Sequence, residues 1–312
     1  MTTKTPVELI VEPVAVRGMG WLREYPSCRD YTARHDEISP KLRELGQSKS
    51  VRQMLNEVHT ERSASSSPGS ADLRAWCSPI EDQLTLGSCT AHAGMGMIEY
   101  YERRAFGHHI DGSRLFLYKA TRNLLNWTGD TGAFLRSTME AMAVFGVPPE
   151  EYWKYMVADF DKEPSAFCYS FAQSYRAINY YRLDPPGTSP DTLLNHIKTN
   201  LAAGLPAMFG FTVYQSYTQA GTSGKIPFPT SGERVVGGHA VMAVGYDDRM
   251  KIKNTSPRAN ETTGALLIRN SWGTGWGEAG YGWLPYDYVT RGLAVDWWAM
   301  IKQSWIDTGN FG

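Results

Sequence analysis

Residues 264–282 read GALLIRNSWGTGWGEAGYG. The run from Ala265 to Ile268 is short and apolar, bounded by glycine, and reads as a strand. Asn270 closes that strand, and tryptophans spaced by glycines follow. An asparagine there can hold one nitrogen of an imidazole and fix its tautomer, and Trp272 can keep water off that bond. The matching histidine lies upstream in GGHAVMAVGYDD (237–248), where His239 opens another strand and Gly237 and Gly238 leave room for a close approach of backbone. Farther upstream is QLTLGSCTA (83–91), with Cys89 at the start of a helix predicted over 89–106 and closed by Gly107. A helix N-terminus carries partial positive charge, which favours the thiolate form of a cysteine. A histidine can take the thiol proton and later give it to a leaving amine. Cysteine, histidine and asparagine in this order follow the logic of nucleophile, base and orienter.

Composition bounds the function classes. The chain has 312 residues, with 31 Lys+Arg against 32 Asp+Glu. A net charge of −1 argues against a dedicated nucleic-acid binder and against a polybasic membrane protein. No apolar run approaches the roughly 18 residues of a membrane span. The first twenty residues hold Glu8, Glu12 and Pro13 inside their apolar stretch, so they lack a clean secretory core. The expected compartment is therefore the cytoplasm, or the outside by a nonstandard route. The four cysteines, at 28, 77, 89 and 168, form no CxxC pair and suggest neither a zinc site nor a disulfide framework.

SASSSPGS (63–70) is the clearest linker. It divides an N-terminal segment, 1–70, from an enzyme-sized domain, 71–312. In the segment, Val51, Met54, Leu55 and Val58 fall on one helical face, and Ser39-Pro40 reads as a helix start with Gly46 as its stop. Beyond the linker, helices are expected over 89–106, 113–122, 133–145 and 190–203. Strands are expected over 207–213, 239–246 and 264–272. Helices first and strands later indicate an α+β fold of two lobes. The polar stretch 247–264 reads as an extended hairpin away from the chemistry. His92, three residues after Cys89, reads as a hydrogen-bonded interior histidine, and Trp297, Trp298 and Trp305 as core.

These motifs together resemble the papain family of cysteine peptidases. Gln83 stands six residues before Cys89, Gly-Ser-Cys opens the helix, GGHAV carries the histidine, and N-S-W-G-x-G-W-G-E-x-G-Y is matched from Asn270 to Tyr281. The GWL (20–22) and RDYT (29–32) stretches are similar to the xylellain-type bacterial members. The resemblance implies a papain-like fold, with a helical left lobe, an antiparallel β right lobe and the cleft between them. It implies Cys89 as nucleophile, His239 as base, Asn270 as orienter, and Gln83 as oxyanion donor beside the Cys89 N–H. Ser88, Thr131, Gly132, Gly237, Gly238, Ala240 and Trp272 become substrate-binding candidates. Gly132 would pair its bare backbone with an extended peptide. Small residues around His239 suggest a pocket without fixed negative charge, accepting an apolar or aromatic side chain two residues before the cut. No cofactor or metal is implied. The partners implied are extended polypeptides, and residues 1–70 as an intramolecular inhibitor running backwards through the cleft. Leu86 stands where the family has a cysteine, so its first disulfide cannot form in the usual way, and Thr90 stands where it has tryptophan. An acyl transferase on the same triad, or a non-catalytic peptide-binding module, are the rival readings.

Overall fold

The computed structural model describes residues 17–28, 30–60, 68–173, 179–257 and 259–311. The candidate linker at 63–67 and the stretch weighed as an export signal, up to residue 16, lie outside the described residues. In chain order the elements are α1 (Pro40–Glu44), α2 (Val51–Thr60), β1 (Ser70–Asp72), α3 (Cys89–Phe106), α4 (Arg114–Leu124), α5 (Leu135–Phe145) and α6 (Ala166–Ala172). They continue with β2 (Asn179–Arg182), α7 (Pro190–Ala202), β3 (Ala207–Tyr214), β4 (Val235–Lys253), β5 (Glu261–Arg269), β6 (Tyr281–Pro285), α8 (Tyr286–Thr290), β7 (Ala294–Ile301) and α9 (Gln303–Ile306). No described helix is long and apolar enough to cross a membrane.

The helix boundaries follow from local chemistry. Ser113 and Ser189 cap α4 and α7 by accepting backbone N–H groups of Phe116 and Thr192, and Pro190 fills the first turn of α7. Gly107 ends α3 in the left-handed conformation that costs glycine least. Among the described residues, seven antiparallel strands form one sheet, ordered β2-β7-β3-β4-β5-β6, with β1 pairing β4. Helices α3, α4 and α5 build the lobe that precedes it. The long β4–β5 pair is the hairpin expected over 247–264, while β1, β2, β6 and β7 were not anticipated. The sequences SAD and NYYR carry too little apolar alternation to announce a strand.

One contiguous core joins both lobes and reaches into the N-terminal segment. The α2 face predicted from its spacing is buried: Val51, Met54, Leu55 and Val58 all lose nearly all their solvent exposure. Helix α2 docks near α9, where Ser48 and Lys49 N–H groups donate to Gln303 Oε1 and Lys49 Nζ lies 2.8 Å from Asp307. Trp297, Trp298 and Trp305 are core residues as expected. Pro68–Ser70, the end of the expected linker, is docked instead: Tyr246 donates to the Pro68 carbonyl and Asp248 N–H to that of Gly69. Met54 is fully buried, so Met54→Ala is expected to lower the stability of the whole chain by about 2–5 kcal/mol. Guanidinium denaturation monitored by tryptophan fluorescence measures this, and an unchanged midpoint would show that α2 is not part of the cooperative core.

Candidate active site

Three stretches converge at the junction of the lobes. The loop before α3 is tied to the sheet at Gln83, whose N–H donates to the Ser271 carbonyl (2.9 Å) and whose Oε1 accepts from Ser271 Oγ (2.6 Å). Tyr155 holds the same loop from behind. Its hydroxyl lies 2.6 Å from Ser88 Oγ and donates to the Gln83 carbonyl at 3.0 Å. Cys89 opens α3 directly after this loop, fully buried. Its Sγ accepts the N–H of Ala240 at 3.4 Å, so the thiol meets the strand residue next to His239. The pairing of β4 with β5 brings His239 and Asn270 to the same end of the sheet, with His239 Nε2 2.8 Å from Asn270 Oδ1. Asn270 Oδ1 also accepts the Ser271 N–H, which fixes it as the acceptor. The imidazole proton therefore sits on Nε2. Nδ1 keeps its lone pair and has no hydrogen-bond partner among the described residues. Trp272 stacks on the imidazole at 4.4 Å and walls it from water, as its position in the sequence suggested.

Residues 17–24 lie across this junction as a strap. The Gly18 carbonyl accepts from Gln83 Nε2 at 3.0 Å, and its N–H donates to Leu84 O. The Gly20 carbonyl accepts from Ala133 N–H at 2.8 Å, Leu22 N–H donates to Ala133 O at 3.1 Å, and Trp21 N–H donates to Gly238 O at 3.2 Å. The strap runs parallel to the 133 stretch. Two glycines make this approach possible: a Cβ on Gly18 would stand 2.0 Å from Leu86 O, and one on Gly20 1.9 Å from Gly87 O. At its ends the strap is pinned by Arg17 to Asp82 (3.0 Å) and by Glu24 to Arg136, which also holds Asp30 at 2.8 Å.

Burial dominates the electrostatics. It pushes the Cys89 thiol up to about 11, against the lowering effect of N–H donors from Ala240 and Gly20. It pulls His239 down to about 4, against the hydrogen bond to Asn270. The helix-start reading of Cys89 as a thiolate is thus reversed under the strap, because the cost of a buried charge exceeds the benefit of the helix end. Both shifts disfavour the charged form of each group.

The expected substrate-side residues divide. Gly237 and Gly238 line the strap's path, where a Cβ would meet Met19 Sδ at 2.8 Å and Trp21 O at 2.6 Å, while Ala240 meets Cys89 Sγ through its N–H. Backbone pairing falls on Ala133 rather than Gly132. The bare Cα of Gly132 instead lets the strap pass, since a Cβ there would be 2.2 Å from Gly20 O. The Ser88 hydroxyl turns to Tyr155, and Thr131 Oγ1 donates to Gly132 O within its own turn. The expectation of a pocket without negative charge is overturned. Trp21 fills the pocket and its Nε1 donates to the fully buried Asp296. Sequence reasoning missed Tyr155, Ser271 and Asp296. Only Asp296 had a local signal, as a carboxylate inside the apolar run AVDWWAMI. His92 is the interior histidine expected, with Nδ1 3.1 Å from Ser88 O.

The comparisons give both the class, a cysteine-type peptidase, and the family. The sequence pattern of the papain family cysteine proteases matches residues 67–296, and the chain belongs to that family. An uncharacterised peptidase C1-like protein of Acanthamoeba polyphaga mimivirus is 35% identical over 70% of this chain and 68% of its own length. Chicken cathepsin K is 24% identical over 70% of this chain and 59% of its own. Among solved structures, xylellain, a cysteine protease from Xylella fastidiosa, superposes with a TM-score of 0.69 at 30% identity. That match covers 92% of this chain and 97% of xylellain. The fold of procathepsin L 3 from Tenebrio molitor larval midgut is also similar, with a TM-score of 0.55 at 20% identity over 77% of this chain and 71% of that one.

Two outcomes follow from the covered site. A histidine that is neutral in the fold but protonates below its ordinary 6.5 once exposed withdraws stability as pH falls from about 6.5 to about 4. In the intact chain, NMR titration of His239 should show a neutral ring down to about pH 4; protonation near 6.5 would mean the site is open to water. Gly20→Val adds a side chain where there is no space, and overpacking of about 1–3 kcal/mol lifts the strap. Alkylation of Cys89 by iodoacetamide should then accelerate about tenfold or more, and an unchanged rate would contradict the strap's close approach.

Proposed function

We propose that the protein is an endopeptidase in which Cys89, His239 and Asn270 act as a triad and the N-terminal segment restrains the cleft. The observation that carries this reading is the Gly18 carbonyl on Gln83 Nε2 at 3.0 Å, a backbone carbonyl where the scissile carbonyl of a substrate would lie. The Cys89 thiol gives its proton to the Nδ1 lone pair of His239, and the sulfur forms a bond to the scissile carbonyl carbon. Gln83 Nε2 and the Cys89 N–H stabilise the resulting oxyanion. The imidazolium, held by Asn270, returns the proton to the leaving amine as the C–N bond breaks. Water, deprotonated by His239, then releases the acyl group and restores the thiol. Residues 71–312 supply these groups, and residues 1–70 supply the restraint.

The strap is not cut because it offers the thiol a hydrogen rather than a carbonyl carbon: the Gly20 N–H points at Cys89 Sγ. The α2 face is buried in the shared core, so removing residues 1–70 outright would expose apolar surface. The restraint is better tested in the full-length chain by loosening the strap. Gly20→Val should raise hydrolysis of a small peptide substrate, and a folded variant with unchanged activity would show that the strap does not guard the cleft. In that background Cys89→Ala should abolish turnover, while alanine at Cys28, Cys77 or Cys168 should leave it largely intact. Gln83→Ala should lower kcat by about 10²–10³ with little change in binding. Turnover by Cys89→Ala would remove the proposed nucleophile, and a pure KM effect at Gln83 would remove it from the oxyanion site.

A further inference from the structure

One peptide unit in the loop before α3 is held at both of its polar atoms. The Leu86 carbonyl accepts Gln83 Nε2 at 2.8 Å. The N–H of the same unit, on Gly87, points the opposite way, as a trans peptide requires. It donates to Asp130, 2.9 Å from Oδ1 and 3.2 Å from Oδ2. Asp130 is exposed, but the turn that carries it is fixed. Gly129 N–H donates to Asp161 Oδ2 at 3.0 Å, and the Gly129 carbonyl accepts Arg122 Nη1 at 2.5 Å. Tyr118 of α4 accepts the Gly132 N–H at 3.0 Å and donates its own O–H to Asp130 Oδ1 at 2.5 Å. The Arg122 guanidinium lies over the Tyr118 ring, 4.2 Å from its centroid. No disulfide ties the loop to this turn, since all four cysteines are free thiols. The link between them is Asp130.

We propose that Asp130 is a positioning residue for the reaction: by holding the Leu86–Gly87 peptide it aims Gln83 Nε2 at the oxyanion. This rests on the peptidase reading above and deepens it. The Gln83 amide has one oxygen and two hydrogens to place. The oxygen is set by Ser271 Oγ at 2.6 Å and one hydrogen by the Leu86 carbonyl; the other meets the Gly18 carbonyl, where a substrate's would lie. The last direction is only as steady as the peptide that fixes the second. Gly87 has no Cβ to restrict its backbone, so that peptide can turn over unless its N–H is held. A donor about 1 Å out of place costs on the order of 10²-fold in rate. The same turn carries Ala133, whose backbone pairs with the strap. Asp130 thus also sets how far the oxyanion donor stands from the edge that grips an extended chain.

The test has two arms in the full-length chain. In the strap-loosened Gly20→Val background, Asp130→Ala should lower kcat on a small peptide about 10- to 100-fold with little change in KM. Asp130→Asn keeps an oxygen for the Gly87 N–H and the Tyr118 O–H and should recover most of that loss. Asp130→Ala should cost little more once Gln83 is alanine, because it acts through that side chain. An unchanged kcat, a loss fully additive with Gln83→Ala, or a KM effect shared by Asp130→Ala and Asp130→Asn overturns the proposal, the last by marking a charge that binds substrate. Asp130 is exposed, so the guanidinium midpoint should stay near that of the parent. A fall in the midpoint that matches the loss of kcat would show a structural residue only. The second arm needs no turnover. In the chain with Gly20 intact, hydrogen exchange at the Gly87 amide should speed up about tenfold in Asp130→Ala and much less in Asp130→Asn. Unchanged protection at Gly87 overturns the proposal. If the parent cleaves no peptide while Gly87 loses protection as expected, the peptidase reading fails and the hold of Asp130 on the loop stands.

Discussion

The site depends on a polar seam closed between two lobes. Gln83 belongs to the helical side and Ser271 to the sheet, and they exchange a backbone and a side-chain hydrogen bond. Deeper in the seam, Arg269 reaches from β5 to Ser78 Oγ (3.0 Å) and the Pro79 carbonyl (2.6 Å). Ser78 in turn donates to Glu99 of α3, which pairs with Arg114 of α4. These groups are buried, so each must keep its partner or cost the full desolvation penalty. That requirement fixes how the lobes meet more sharply than apolar packing alone, which tolerates sliding. The oxyanion candidate and the imidazole–asparagine pair hang on opposite sides of this seam, and their separation is set by it.

Within that frame the strap changes the chemistry by excluding water. Burial pushes the Cys89 thiol up and pulls the His239 imidazole down, so covering them disfavours the charged form of each. Glu24 and Asp296, also raised by burial, show that the cost extends along the strap. Arg136 and Arg182 offset it by reaching the carboxylates from the enzyme side. The strap is thus held by hydrogen bonds and paired charges along its length, and by one large ring in one slot.

Much of this was legible in the sequence because the signals were local. Helix α3 with its glycine stop, the serine caps of α4 and α7, and the apolar face of α2 are all written within a few neighbouring residues. The candidates Gln83, Cys89, His239 and Asn270 stood out because glycines and tryptophans surround them at fixed spacings. What escaped were pairings across long separations. Tyr155 meets Gln83 from 72 residues away and Trp21 meets Asp296 across 275, and no pattern near either member announces the other. The ionisation of Cys89 was misjudged for the same reason: helix position is local, whereas burial is a property of everything that covers the sulfur. The shift of backbone pairing from Gly132 to Ala133 was not anticipated, because a glycine that makes space looks the same as a glycine that bonds.

The docking of α2 gives the strap a property that a separate polypeptide lacks. A free inhibitor leaves its target on dilution, at a rate and to an extent set by how much of it is present. The strap is joined through residues 25–50 to a helix buried in the common core, so when it lifts it stays within reach of its groove. How often it returns there is set by geometry alone. The placement of the strap over the junction therefore depends on the chain itself and on the groups that hold it, not on how concentrated the protein is.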